Sequence, residues 1–330
     1  MPGVSVIVPN WNGRALLERL LERLGAQACA IEEIIVVDNG SEDDSAEVAR
    51  RLGARVIALG RNAGFSGAVN RGIGECRTPW VAVVNNDVEP AREWLARLLE
   101  GVQASGTWFA TGKLLNSAQP DTIDGAYDGL CRGGCAWRVG HGRRDGPLWA
   151  GTRKIWFAPF TAALFRVELF GKVGLLDERF ESYLEDVEFC LRCALGGFEG
   201  LYVPEALAYH QGSATLGAWH KDTVRRIARN QLLLVAKHYS GAELLRNGWA
   251  ILVAQALWGA VALRHGRGGA FLRGKIEGAG MLRQMRREAA WKAAEPGRLS
   301  SILEQSQADI LEFQRQSGFD RYWRWYFALT

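Results

Sequence analysis

Four short apolar runs dominate the first hundred residues, and three of them end on polar side chains. They are VSVIVPNWN (Val4 to Asn12), EIIVVDNGS (Glu33 to Ser41), ARVIALG (Ala54 to Gly60) and WVAVVNND (Trp80 to Asp87). A strand that is apolar along its whole length must be covered on both faces, which is the condition of a parallel sheet sandwiched between helices. Helical patterns fill the intervals: Leu16, Leu17, Leu20, Leu21 and Leu24 share one side of the first, and a glycine-rich helix is expected around Gly67 to Glu75. Ser41 suits a helix N-cap, with Glu42, Asp43 and Asp44 in the first turn behind it. The polar clusters fall at the strand ends: Asn10 and Asn12, then Asp38 and Asn39, then Asn85 to Asp87. Open α/β sheets bind ligands at those carboxyl ends.

Beyond this core the pattern loosens. Gly106 to Lys154 is glycine-rich and irregular, and is expected to form hairpins and loops laid against the sheet. Val167 to Gly197 reads as helix, and GLYVPEALAYH (Gly200 to His210) as strand, turn, strand. After about residue 216 the strand signals stop. The charge changes there too: residues 1–215 carry 22 Lys and Arg against 27 Asp and Glu, a net −5, whereas residues 216–330 carry 18 against 9, a net +9. This divides the chain into an acidic α/β domain over 1–215 and a basic helical region over 216–330.

The apolar stretch Trp249 to Leu263 is 15 residues long. As a helix it measures about 22 Å, short of a bilayer crossing. With the arginines around it, it fits either an anionic inner-leaflet surface or packing against the first domain or a second subunit; the oligomeric state stays open. No nucleic-acid motif accompanies the basic tail, so nucleic acid is excluded as a partner. Met1 leads directly into a strand without a basic n-region, which predicts a cytoplasmic chain, free or peripheral on the inner membrane. The six cysteines form no disulfide framework, and Cys190 and Cys193, although spaced as CxxC, lie in a helical pattern without a zinc partner set.

The segments VIVPNWN, VVDNGS, GRNAGFSGAVNRG, VVNNDVEP, YLEDVEFCLR and YVPEALAYHQGS occur in the order and spacing of glycosyltransferase family 2. The resemblance covers residues 4–215 and is greatest to the branch of rhamnosyltransferases and related enzymes of bacterial surface polysaccharides. It implies a GT-A fold, a Rossmann-like and mostly parallel sheet with helices on both faces, followed here by the helical region. It further implies inverting transfer of a sugar from a dTDP- or UDP-sugar, dTDP-rhamnose among them, to a hydroxyl of a glycan or lipid-linked acceptor. A divalent cation, Mg²⁺ or Mn²⁺, is the implied cofactor.

Residue by residue, the resemblance assigns Asp38 and Asn39 to the nucleotide, with the Asp38 carboxylate able to accept the N3–H of a uracil or thymine ring. Pro9 and Trp11 hold the base-side strand end. Gly64, Gly67 and Asn70 resemble a segment where small residues let the backbone approach ribose or phosphate. Asn85, Asn86 and Asp87 stand where the family has DxD; Asp87 is the expected metal ligand, Asn85 a neutral and weaker one, and Asn86 a nucleotide contact. His210 matches a further metal or diphosphate contact. Glu185 and Asp186 resemble the family's catalytic pair, Asp186 as the general base that takes the acceptor's proton. Glu181 and Glu188 crowd the same stretch, and like charges so close are expected to raise some of these pKa values. His141, His220, His238 and His265 match no motif.

Two other classes compete. A sugar-nucleotide-forming nucleotidyltransferase needs a glycine-rich basic loop after the first strand, and Pro9 to Arg14 lacks the glycine run. A non-catalytic binding or scaffold protein of polysaccharide assembly is suggested by Asn85 in place of an acid, and donor hydrolysis with a divalent ion would argue against it.

Overall fold

A computed structural model describes residues 2–212, 219–288 and 295–330. The chain divides into two compact units. A sheet unit comprises Met1–Tyr127, Gly140–Cys193 and Phe198–Thr215; a helical unit comprises Asp128–Val139, Ala194–Gly197 and Leu216–Thr330.

In the sheet unit, β1 (Val4–Asn10) lies between two parallel neighbours, β2 (Glu33–Asp38) and β4 (Trp80–Val84), and β3 (Arg55–Ala58) extends the edge beyond β2. The crossovers are α1 (Arg14–Gly25), α2 (Ser45–Arg51) and α3 (Gly64–Ile73). α1 buries Leu17, Leu20, Leu21 and Leu24 of the expected stripe and leaves Leu16 half-buried. Each buried leucine contributes about 1.5–3 kcal/mol against exposure. On the other side of β4 the sheet continues through β11 (Ala162–Arg166), β6 (Phe109–Asn116), β12 (Gly200–His210) and β10 (Arg153–Ile155), with β5 (Val88–Pro90) against β12 and β7 (Ile123–Gly125) against β6. β11 runs antiparallel to both neighbours, and β12 parallel to β6. α4 (Trp94–Ser105) covers this half, burying Trp94, Leu95, Leu98 and Leu99 in the same core as the strands.

Three sequence expectations change. Gly106 to Lys154, expected as hairpins and loops, contributes the interior strand β6. Its residues Asp128 to Val139 belong to the helical unit. Val167 to Gly197 forms two helices, α5 (Val167–Val173) and α6 (Glu185–Leu195), separated by a 3₁₀ turn at Glu178–Phe180. Gly200 to His210 is one strand with a bulge, Val203 pairing with Gly112 and Leu207 with Lys113. Gly112 is required there, since a Cβ would fall 1.8 Å from Ala206 O.

In the helical unit, β8 (Asp128–Leu130) and β9 (Ala136–Arg138) form a hairpin held by α7 (Lys221–His238), α8 (Gly241–Arg264), α10 (Arg298–Ser317) and α11 (Arg321–Leu329). Leu130 N–H donates to Ser306 Oγ at 2.8 Å, Gly133 N–H to Tyr326 Oη at 3.2 Å, and Tyr239 O–H to Arg132 O at 3.1 Å. A Cβ on Gly133 would lie 2.6 Å from Ala250 O, which is why this turn is glycine. α9 (Gly268–Arg287) approaches α7 through Gly274 and Gly278; a Cβ on Gly274 would lie 2.1 Å from Arg225 O. Among the described residues, no helix is long and apolar enough to cross a membrane.

Candidate active site

The carboxyl ends of β1, β2 and β4 are stitched together by side chains. Asn39 N–H donates to Asn10 O at 2.8 Å, extending the β1–β2 ladder. Asn86 Nδ2 donates to Asn10 Oδ1 at 2.7 Å and ties β4 to β1. Gly13 must be glycine for this bond, because a Cβ would lie 2.2 Å from Asn86 Nδ2. Asn39 then fixes the loop ahead of α3: its Nδ2 donates to Asn62 Oδ1 and Gly64 O, both at 3.1 Å, and its Oδ1 accepts from Ala63 N–H at 2.7 Å.

The start of α3 in turn anchors the segment before α6. Gly64 has φ +77°, and a Cβ there would meet the Glu181 backbone at 3.2 Å. Ser66 N–H donates to Glu181 O at 2.9 Å. Asn70 clamps the same segment, donating to Leu176 O at 2.9 Å and Glu178 Oε1 at 3.1 Å while accepting from Leu176 N–H at 3.0 Å. Gly67 is buried on the same helix, where a Cβ would lie 3.0 Å from Ala63 Cβ. Asn39, Asn70 and Asn86, read from sequence as nucleotide contacts, therefore direct side-chain polar atoms to protein partners.

Asp38 and Asn85 differ from them. Asp38 is 6% exposed. Its Oδ2 accepts from Ser41 N–H at 3.2 Å, but its Oδ1 is buried and has no hydrogen-bond partner among the described residues. Asn85 N–H donates to Thr161 O at 2.9 Å, and Asn85 Oδ1 is likewise buried without a partner. A buried acceptor left unmade costs about 1–3 kcal/mol, and these two lie open at one sheet edge. Beside Asp38, Pro9 is half-buried and pairs with Val37 in the strand register, while Trp11 is 38% exposed.

Asp87 meets His210 through the sheet. Val88 opposes His210 in the β5–β12 register, which sets the His210 Nε2 3.3 Å from Asp87 Oδ1. On the other side of the ring, Nδ1 lies 2.7 Å from Asp124 Oδ2, on β7. Burial pulls the imidazole pKa down, but the hydrogen bonds to Asp124 and Asp87 and the charges of both carboxylates outweigh it and carry it up to about 9. Among the described residues, no three His, Cys, Asp or Glu side chains form a ready-made cation cage. Asn85 Oδ1 and the Asp87 carboxylate are nevertheless hard oxygen donors, and His210 Nε2 becomes a borderline nitrogen donor once a cation displaces its proton. Mg²⁺ and Mn²⁺ sites of this kind are completed by substrate phosphate oxygens rather than by protein alone, and the orphaned Asn85 Oδ1 fits that use.

The segment carrying Glu185 and Asp186 is held under backbone strain. Glu181, Tyr183 and Leu184 have φ of 59°, 71° and 65°, and none is glycine. Ser182 N–H donates to Phe180 O at 2.7 Å, closing a tight γ-turn around Glu181. Such strain persists only where the surroundings enforce it. Here they do so from both ends: α3 grips Glu181, and α6 is docked through Phe189, which meets Phe160 edge-on at 5.4 Å, and Cys190, which bonds the Ala158 backbone. Phe160 and Ala158 lead into Thr161, whose carbonyl holds Asn85. The acidic cluster is smaller than its sequence suggests, since Glu188 is buried in a bidentate pair with Arg192 at 3.0 Å. Glu185 is buried and Asp186 half-buried, with Asp186 Oδ1 accepting from Val187 N–H at 2.8 Å. Cys193 is buried in α6 and burial raises its thiol pKa, as for a packing residue.

Asp124 and the Ala158–Thr161 segment are the parts of this edge that sequence reasoning missed. Neither belongs to a motif; Asp124 sits in the irregular glycine-rich stretch, and strand pairing alone carries it to His210.

The family model for glycosyl transferase family 2 matches residues 5–174. The N-acetylglucosaminyl-diphospho-decaprenol L-rhamnosyltransferase of Mycobacterium tuberculosis is 27% identical over 290 residues, covering 79% of this chain and 91% of that protein. The pre-mycofactocin glycosyltransferase of the same species is 27% identical over 220 residues, covering 66% of this chain and 44% of that protein. Among solved structures, GalNAc-T7 with UDP, GalNAc and Mn²⁺ superposes with a TM-score of 0.64 at 14% identity, over 97% of this chain, which spans 58% of that one. The mannosyltransferase PcManGT of Pyrobaculum calidifontis gives 0.53 at 17% identity, over 99% of this chain and 86% of the other. These likenesses show a GT-A fold with a helical carboxyl-terminal region. With a family match spanning β1 to α5 and every motif residue at the sheet's carboxyl edge or the elements it holds, the chain belongs to glycosyl transferase family 2.

Proposed function

We propose that the sheet unit performs a metal-dependent, inverting sugar transfer from a dTDP- or UDP-sugar to a hydroxyl of a lipid-linked glycan acceptor, in surface polysaccharide synthesis. The observation that carries this reading is the pair of buried, partnerless acceptors, Asp38 Oδ1 and Asn85 Oδ1, on the same sheet edge as the Asp87–His210 pair. Asp38 Oδ1 accepts the N3–H of the pyrimidine, with Pro9 and Trp11 beside the ring. Gly64 leaves backbone room for ribose or phosphate, while Asn39, Asn70 and Asn86 hold the loops that shape this pocket. Asp87, His210 and Asn85 would hold a divalent cation, which would offset the charge that builds on the departing diphosphate. Asp186 takes the acceptor hydroxyl's proton as the new C–O bond forms, and buried Glu185 orients that segment. The name of the mycobacterial relative supports an L-rhamnosyl donor and a polyprenyl-diphospho-sugar acceptor.

A thermal-shift series with dTDP-rhamnose and UDP-sugars, each with and without Mn²⁺, tests donor binding. A ligand selective for the folded chain stabilises it by about 2.7 kcal/mol at a hundredfold excess over Kd. The expected result is stabilisation that requires both nucleotide sugar and metal; no shift with any donor would defeat the reading.

Asp124 acts through His210. A carboxylate on the far nitrogen of a metal-binding imidazole fixes its tautomer and orientation, and losing it typically costs 10–100-fold in metal affinity. Asp124→Asn is therefore expected to weaken Mn²⁺ binding in the presence of dTDP by roughly 10–100-fold, read by calorimetry. Wild-type Mn²⁺ affinity in this variant would make Asp124 a packing residue instead.

A further inference from the structure

The helical unit leaves a broad apolar face uncovered. Along α8, Leu245, Trp249 and Leu252 follow one another at helical spacing and all are exposed, Leu252 at 65%. α9 lies beside α8, with Phe271 against Gly259 and Lys275 bonded to Gln255. Because Gly274 and Gly278 of α9 face α7, the exposed Leu272 and Ile276, the latter at 73%, turn away from α7 and lie alongside the α8 stripe. α11 joins at the other flank: the Trp249 indole N–H donates to Leu329 O at 2.7 Å, and Leu329 is itself exposed. Contiguous exposed apolar surface of this kind marks an interaction site rather than ordinary surface.

The charges around it are one-sided. α8, α9 and α11 carry nine Lys and Arg against two acids, Glu243 and Glu277. Both acids are engaged, Glu243 with Ser300 and Asn247, and Glu277 with Arg225 and Arg273. Arg283 is exposed on the α9 stripe itself, seven residues beyond Ile276, and Arg324 is exposed on α11. A two-fold partner presenting the same face would set arginines against arginines with no carboxylate to receive them. An anionic bilayer answers both features: acyl chains take Leu252 and Ile276, the interfacial zone suits Trp249, and arginines reach phosphate headgroups.

We propose that the exposed face of α8, α9 and α11 is a docking surface for an anionic membrane, entered in the plane of the interface and not by crossing it. The proposal concerns lipid contact alone, so its test is separate from that of sugar transfer.

The experiment is flotation of the full chain with equimolar phosphatidylglycerol–phosphatidylcholine vesicles and with phosphatidylcholine vesicles, at low and high salt. The chain is expected to float with the anionic vesicles, and less so as salt rises. Leu252→Gln with Ile276→Gln should weaken partitioning by roughly 10-fold or more, both sites being exposed enough to leave folding intact. Arg283→Ala and Arg324→Ala should each weaken it by about 5-fold. Failure of the wild-type chain to float with anionic vesicles would overturn the proposal, as would flotation unchanged in the Leu252/Ile276 variant. A chain that sediments as a dimer, and becomes a monomer in that same variant, would assign the face to a second copy.

Discussion

Asp186→Asn is expected to bind the donor as the wild type does and to lose roughly 10²–10⁴-fold in transfer, the usual contribution of a general base. The substitution keeps the shape and an oxygen able to accept from Val187 N–H, as Asp186 Oδ1 does at 2.8 Å, so α6 keeps its first turn. What it removes is the proton acceptor. An inverting transfer is a single in-line displacement, so the base must act on the acceptor from the side opposite the diphosphate. Asp186 qualifies because its segment is carried by α3 and α6 and not by the strand ends that bear Asp87 and Asn85. Glu185→Gln should cost less, because Glu185 is buried whereas Asp186 is half-buried and open to an acceptor. The measurement is turnover and donor affinity for both variants with one acceptor. Near-normal turnover in Asp186→Asn, or a larger loss in Glu185→Gln, would move the base to Glu185.

Asp87→Ala carries the next largest effect. It removes the anionic member of the Asn85–Asp87–His210 set, and turnover should fall by roughly 10²–10³-fold, as when a stabiliser of developing charge is lost. Nucleoside diphosphate binding should become indifferent to Mn²⁺. His210 loses its carboxylate at 3.3 Å but keeps Asp124 at 2.7 Å, so the strand pairing that places it should survive. The companion change Asn85→Asp supplies a second anionic ligand and should tighten metal binding. Calorimetric titration of the diphosphate with and without Mn²⁺ checks both; a metal dependence unaltered in Asp87→Ala, or weakened in Asn85→Asp, would show that the cation is held elsewhere.

The parallel half of the sheet was legible because β1, β2 and β4 are nearly unbroken runs of Val and Ile, buried on both faces. The other half was not. β6 reads FATGKLLN and β11 reads AALFR, without a run of β-branched residues, and β6 includes a glycine and a lysine. Tertiary contacts account for both: Gly112 makes room for the Ala206 carbonyl, and Lys113 is buried against Asp145 at 2.8 Å. The turn expected within Gly200 to His210 is instead the bulge between Val203 and Leu207, where the strand accommodates Pro204. At the site, strand ends marked Asp38 and Asp87, and the family resemblance marked His210. It could not mark Asp124, whose approach to His210 depends on β7 pairing with β6. Nor could spacing tell an open amide from a framing one: the fold engages the side-chain oxygens of Asn39 and Asn70, whereas Asn85 Oδ1 has no partner among the described residues.

The central claim, sugar transfer from a nucleotide diphosphate donor, is tested most directly by incubating the purified chain with dTDP-rhamnose and a polyprenyl-diphospho-N-acetylglucosamine acceptor, with Mn²⁺ or with chelator, and following both glycolipid product and released dTDP. The account predicts a product one deoxyhexose heavier than the acceptor, dTDP released in step with it, an inverted anomeric configuration, and loss of both signals on chelation. Neither transfer nor nucleotide release, with this donor or with UDP-sugars in the presence of metal, would contradict it and leave the chain a binding protein built on a transferase fold.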